Sequence, residues 1–173
     1  MYKLALGEHA IIELIKKDPL LINKVIVKNK SEAAKYQHCD VKIEINSKAF
    51  NKIKEDIYAL AYFIPYTSKL DKDSTHLLLH NIKDEGELGT IIRTAVAFDI
   101  RNIVLINSSV DIFSLKSIRA STGAVFMANI VNYKNKDEYL KIYKNKYYEF
   151  KDEGALLSLN IARKLAKNII VNK

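Results

Sequence analysis

Residues 77–127 read LLLHNIKDEGELGTIIRTAVAFDIRNIVLINSSVDIFSLKSIRASTGAVFM, and the first thirty of them decide the fold. The run Leu77-Leu78-Leu79 is short and apolar and breaks at Asn81 into a polar loop punctuated by Gly86 and Gly89. From Thr90, the residues Ile91, Ile92, Ala95, Ala97 and Phe98 recur at helical spacing, which predicts an amphipathic helix with Arg93 near its start. Asn102 to Ile106 is too short and too β-branched for a helix and predicts a buried strand. Strand, loop, helix, strand is a βαβ unit, and it makes the chain α/β with a parallel sheet.

Such a unit delivers the loop from Asp84 to Gly89 to the carboxyl end of a strand, where open α/β sheets place their ligands. The glycines allow either close approach of a ligand to the backbone or a simple turn with positive φ. Gly-x-x-Gly is neither the dinucleotide fingerprint nor a Walker loop, and spacing alone leaves these two readings equal.

A second cluster, Arg119-Ala120-Ser121-Thr122-Gly123-Ala124 with Phe126, lies downstream. Together with Asp84 to Ala95 and Ala97-Phe98, it resembles the motifs of the SpoU (TrmH-type) RNA 2'-O-ribose methyltransferases of the SPOUT superfamily. The resemblance implies S-adenosylmethionine as methyl donor, RNA (rRNA or tRNA) as partner, a homodimer, and methyl transfer to a ribose 2'-hydroxyl. It places Arg93 and Glu87 at catalytic positions, with Arg93 holding phosphate or ribose and stabilising developing alkoxide charge. It places Arg119 and Ser121 at RNA-binding positions. Beside that, the bland readings are a surface ion pair for Arg119 and a helix cap for Ser121. Three positions depart from the family pattern. Glu87 stands where asparagine is usual, Glu85 where proline is usual, and Asp99 where glycine follows the phenylalanine.

Upstream, residues 1 to about 66 alternate helix and strand. Helical spacing runs from Ala10 to Lys17 and is ended by Asp18-Pro19. Strands are expected at 24–27, 41–45 and 59–64, with short helices at 31–37 and 47–54. This order resembles the small L30e-like substrate-binding domain that precedes the methyltransferase domain in many such enzymes, and a generic α/β domain is the plain alternative. The expected division is 1–68 for RNA substrate binding and 75–173 for methyl transfer, joined by a polar linker at 66–74.

Past the second motif, strands are expected at 129–133 and 147–150, a helix at 136–143, a turn at 151–154 and a basic helix at 160–167. The tyrosines interleaved with lysines from Tyr133 to Tyr148 either stack on bases or lie half-buried on a sheet or helix. The family's Gly-Asn-Glu loop has no counterpart here. Leu157-Ser158-Leu159-Asn160 looks like its last motif, but Asn168 to Val171, read as the strand before that loop, fits the spacing better. The methyltransferase domain is therefore expected to be C-terminally incomplete, without the knot that shapes the cofactor pocket, so no cofactor-binding residue can be named. A non-catalytic RNA-binding protein derived from such an enzyme is the alternative function.

The 173 residues carry a formal charge of +8 with pI near 9.4, which suits a polyanionic partner or reflects a general lysine bias. A hydrophobic share of 49% is enough for a core. The lone Cys39 excludes an intramolecular disulfide and any all-cysteine metal site. His76 and His80 have ligand spacing only on a helix, and the segment between them reads as strand, so no metal is expected. No uncharged run is long enough to span a bilayer, and a cytoplasmic protein is expected.

Overall fold

The computed structural model describes residues 1–53, 56–151, 157–167 and 169–171. Its first half is a sheet of β1 (Lys3–Leu6), β2 (Ile22–Val27), β3 (Ile43–Ile45) and β4 (Ala59–Phe63), ordered β1-β4-β2-β3. Only β2 and β3 run parallel; β4 is antiparallel to both β1 and β2. Helices α1 (Glu8–Lys17) and α2 (Lys30–Ala34) connect them. The alternation of helix and strand expected there is present, with shorter pieces at α2 and β3. The expected helix at 47–54 is a 3-10 turn, Ser47–Phe50, among the described residues. β1 was not anticipated: four residues with one fully inward position give too little periodicity to read.

The second half is a parallel sheet of β5 (His76–His80), β6 (Asn102–Ile106), β7 (Asn129–Tyr133) and β8 (Tyr147–Phe150), ordered β7-β6-β5-β8. The crossovers carry α3 (Glu85–Ala97), α4 (Leu115–Ala120) and α5 (Lys136–Ile142), and α6 (Leu157–Ala166) follows β8. The strands alternate in what they bury. Leu77 and Leu79 belong to the main core, whereas Leu78, with Val104, Ile106 and three tyrosines, forms a second core on the other side of the sheet. Helices thus cover both faces, as near-continuous apolar strands require.

Two expectations for the second half do not hold. The glycine loop is a helix: α3 begins at Glu85, capped by the Asp84 side chain, which accepts from the Glu87 backbone N–H at 2.7 Å. Neither Gly86 nor Gly89 has positive φ. The Asp-x-x-Glu sequence is a helix start, and the cost of two helical glycines, about 1 kcal/mol each, is tolerated because α4 packs there. The expected strand at 168–171 is also not formed among Ile169 to Val171, although the Val171 N–H donates to the Tyr147 carbonyl at 3.0 Å. Leu157 to Asn160 lies in α6. The turn expected at 151–154 falls, beyond Lys151, outside the described residues.

The two sheets share one hydrophobic core. Phe63 of β4 meets Phe113 and Phe126 edge-on, with ring centroids 5.6 and 5.3 Å apart. Gly123 (φ 83) lies so close to α1 that a Cβ there would fall 2.7 Å from Ala10 Cα. The segment 66–74 is irregular as expected but not a free linker: Tyr66 packs on Phe113 and Leu70 is buried.

The tyrosine alternative is settled for Tyr139, Tyr143 and Tyr147, which are buried in the second core around His76. The His76 ring bonds the Tyr139 hydroxyl (2.9 Å) and the Asp71 carbonyl (2.7 Å). Burial pushes its pKa down, against the opposing Asp71 contact.

Candidate functional site

Asp84 ends the β5–α3 loop, and Lys116 of α4 forms an ion pair with its carboxylate. That hydrogen bond first, and the Glu87 backbone N–H next, hold the Asp84 carboxyl below its usual range. The start of α3 is thereby fastened to α4. Gly89 makes the close contact: a Cβ there would lie 2.5 Å from the Ser117 carbonyl oxygen and 2.7 Å from Ala120 Cβ.

Arg93 follows Gly89 by one turn and therefore shares its face of α3. It is exposed and makes no hydrogen bond or ion pair with the described residues. Glu87 is half-buried in the first turn of the same helix. A spacing of six residues sets the two side chains about 120° apart around the axis and about 9 Å along it. α3 by itself does not bring Glu87 and Arg93 to one point.

Arg119 is exposed on α4 and lines two openings. One, of about 200 Å³, is bounded by Gly7 to Ala10 at the start of α1 together with Ile118 and Thr122. The other, of about 550 Å³, is bounded by Leu115, Lys116 and Ala120. Ser121 is 1% exposed, and its hydroxyl donates to the Ile118 carbonyl at 3.0 Å while accepting from Val125 N–H. It closes α4, as the plain helix-cap reading expects. Arg93 on α3 and Lys116 and Arg119 on α4 are exposed cations, Lys116 paired with Asp84.

The carboxyl edge of the parallel sheet carries groups that motif reading passed over. Asn81 (φ 56) and Asn107 (φ 51) immediately follow β5 and β6, both in the left-handed region. Each backbone N–H steps sideways to the next strand, Asn81 to the Ile106 carbonyl and Asn107 to the Tyr133 carbonyl, both at 2.9 Å. Asparagine directly after an apolar run was the available signal, because it tolerates that conformation. Between β5 and β8, where the strand order reverses, Glu149 accepts from Lys136 at 2.7 Å and pairs with His80 at 2.9 Å. Among the described residues no group of His, Cys, Asp and Glu could hold a metal ion, and no helix is long and apolar enough to cross a membrane.

Known proteins share this architecture. The sequence profile of the SpoU rRNA Methylase family matches residues 74–167. The chain is 28% identical over 131 residues to a 23S rRNA (guanosine(2553)-2'-O)-methyltransferase of Bacillus subtilis, covering 72% of this chain and 52% of that protein. It is 39% identical over 56 residues to mitochondrial rRNA methyltransferase 3 of Mus musculus, covering 32% and 13%. It therefore spans about half the length, or less, of these curated relatives. Among solved structures, an AdoMet-bound rRNA methyltransferase from Sinorhizobium meliloti superposes with a TM-score of 0.64 at 27% identity, covering 81% of this chain and 57% of that one. A TrmH-family protein from Porphyromonas gingivalis reaches 0.77 at 17% identity, covering 96% and 88%, a likeness of fold.

Proposed function

Because this chain belongs to the SpoU rRNA methylase family, we propose that it is an S-adenosylmethionine-dependent RNA ribose 2'-O-methyltransferase, acting on rRNA or tRNA. The observation that carries the reading is Arg93, a cation on the motif helix that is solvent-exposed and makes no hydrogen bond or ion pair with the described residues. A guanidinium not engaged by the described residues can bind a phosphate bidentately and stabilise charge developing at O2'.

S-adenosylmethionine, when bound, supplies an electrophilic methyl group to a ribose oxygen. The fit of this chain to it rests on the carboxyl edge between β5 and β8, the place where open α/β sheets take nucleotides. Glu149 is a suitable acceptor there for ribose hydroxyls. Its carboxylate is already engaged by His80 and Lys136.

The chain's own residues divide the remaining work. Arg93 orients the target ribose through its phosphate, and Lys116 and Arg119 extend the cationic track along α4. Ser121 closes the helix that carries Lys116 and Arg119. Glu87 occupies the family's asparagine position, and its charge opposes an incoming phosphate. Residues 1–68, an L30e-like unit in this reading, present the RNA, with a second copy of the chain completing a homodimer.

The test is methyl transfer from labelled S-adenosylmethionine to total rRNA and tRNA, followed by ribose analysis, with calorimetric titration of the cofactor. Label in 2'-O-methylnucleosides, lost in Arg93→Ala, supports the enzyme. A folded protein that binds RNA but neither binds S-adenosylmethionine nor transfers methyl is the non-catalytic RNA-binding alternative.

A further inference from the structure

A cleft of about 400 Å³ lies at the carboxyl ends of β6 and β7, lined by Asn107, Ser108, Ser109, Asn132, Tyr133 and Lys134. Its volume falls within the usual range for small-ligand sites, and the carboxyl edge is where parallel sheets place them.

The lining is held from behind. The Asn107 amide N–H donates to Asn81 Oδ1 at 2.8 Å, the Asn132 amide donates to the Ser108 carbonyl, and the Ser108 hydroxyl donates to the Ile82 carbonyl at 2.8 Å. With both amide nitrogens so engaged, Asn107 Oδ1 and Asn132 Oδ1 make no hydrogen bond to the described residues, and neither does Lys134 Nζ. The cleft therefore offers two neutral acceptors, a hydroxyl, an aromatic ring and one cation, and among the described residues no carboxylate lines it. Tyr133 keeps its proton, since burial and then Tyr143 push its pKa up to about 12. The backbone at Asn107 has φ 51, which glycine would adopt without cost, so it is the side chain that asparagine adds there.

From this chemistry we propose that the cleft binds one unpaired ribonucleotide of the RNA, its base amino and imino groups donating to the Asn107 and Asn132 carbonyls, its ring against Tyr133, and its phosphate at Lys134. Unpaired bases are recognised in this way, by stacking on aromatic rings and hydrogen bonds along their edges. The proposal rests on the RNA reading above and adds to it a subsite away from the α3–α4 seam.

The experiment is a titration of isotope-labelled full-length protein with the four ribonucleoside 5'-monophosphates, the unphosphorylated nucleosides, and a single-stranded oligoribonucleotide, read by amide NMR. Saturable shifts at Asn107, Ser109, Asn132 and Lys134 are expected. Asn107→Gly should weaken monophosphate binding about fivefold or more, the worth of a base hydrogen bond, without lowering thermal stability. Lys134→Ala, at an exposed position, should weaken monophosphate but not nucleoside. Shifts scattered over the basic surface, or binding unchanged in both variants, would overturn the subsite. If the oligoribonucleotide binds while these residues stay unmoved, the subsite falls and the RNA reading stands. Saturable monophosphate binding at these residues with no RNA bound or methylated would overturn both, leaving a site for free mononucleotides.

Discussion

Gly89 of α3 packs directly on the backbone of Ser117 in α4, leaving 2.5 Å between a notional Cβ and the Ser117 carbonyl oxygen. Backbone cannot step aside as a side chain can. Gly89→Ala should therefore destabilise the fold by about 1–3 kcal/mol through overpacking, after offsetting the roughly 1 kcal/mol gained in helix propensity. At Gly86 the nearest atom is Lys116 Cε, at 2.8 Å, the far end of a flexible chain. Gly86→Ala should be neutral or slightly stabilising, and urea denaturation of the two variants distinguishes them.

Phe63 joins the sheets through its contacts with Phe113 and Phe126 and is fully buried. Phe63→Ala should cost about 3–5 kcal/mol. Because the core is shared, hydrogen exchange should speed up in β2 and in β6 together. Faster exchange confined to the first half would show that the halves unfold separately.

The arginine and the glutamate of the first motif call for opposite outcomes. Arg93→Ala should leave stability within about 0.5 kcal/mol, as at other exposed sites, while methyl transfer falls about 100-fold or more, as on losing one transition-state donor. Glu87→Asn removes a negative charge from the first turn of α3, so RNA affinity should rise, with the gain shrinking as salt is added. Filter binding at two salt concentrations checks this.

Glu149 sets an acid limb on stability. Burial raises its pKa, but the hydrogen bond and charge of Lys136, with His80 beside it, lower it further, and the net value lies below the ordinary 4.5. A carboxyl depressed by folding contributes stability in full above its unfolded value, and that contribution is lost as pH falls through the folded one. For Lys136, burial lowers the pKa and the bond to Glu149 raises it to a net value above 10.5, so its contribution is lost only at the alkaline end. Glu149→Gln should lower the melting temperature at neutral pH and flatten its fall below pH 4.5. Thermal melts across that range test it.

Asp99 follows α3 with φ 58, in the conformation that a glycine adopts most easily. Asp99→Gly should stabilise the protein by about 0.5–1 kcal/mol, measured by the denaturation midpoint.

By itself the sequence determined the α/β class, the βαβ unit at its centre and the motif arginine's helix, because apolar runs, helical spacing and turn residues are local signals that act within one element. The departure at Asp99 was legible too, although only the structure shows that aspartate takes over the glycine's backbone conformation. Tertiary structure decided the rest. It made the Gly86–Gly89 stretch a helix instead of a loop, since α4 contributes the contact that offsets glycine's poor helix propensity. It buried Ser121, drew Tyr139, Tyr143 and Tyr147 into a second core, and joined residues expected to form two domains around Phe63. It also brought Asn107 and Asn132 together across neighbouring strands. Those relations depend on which elements pack against each other, and a periodicity read along one chain carries no information about its partner.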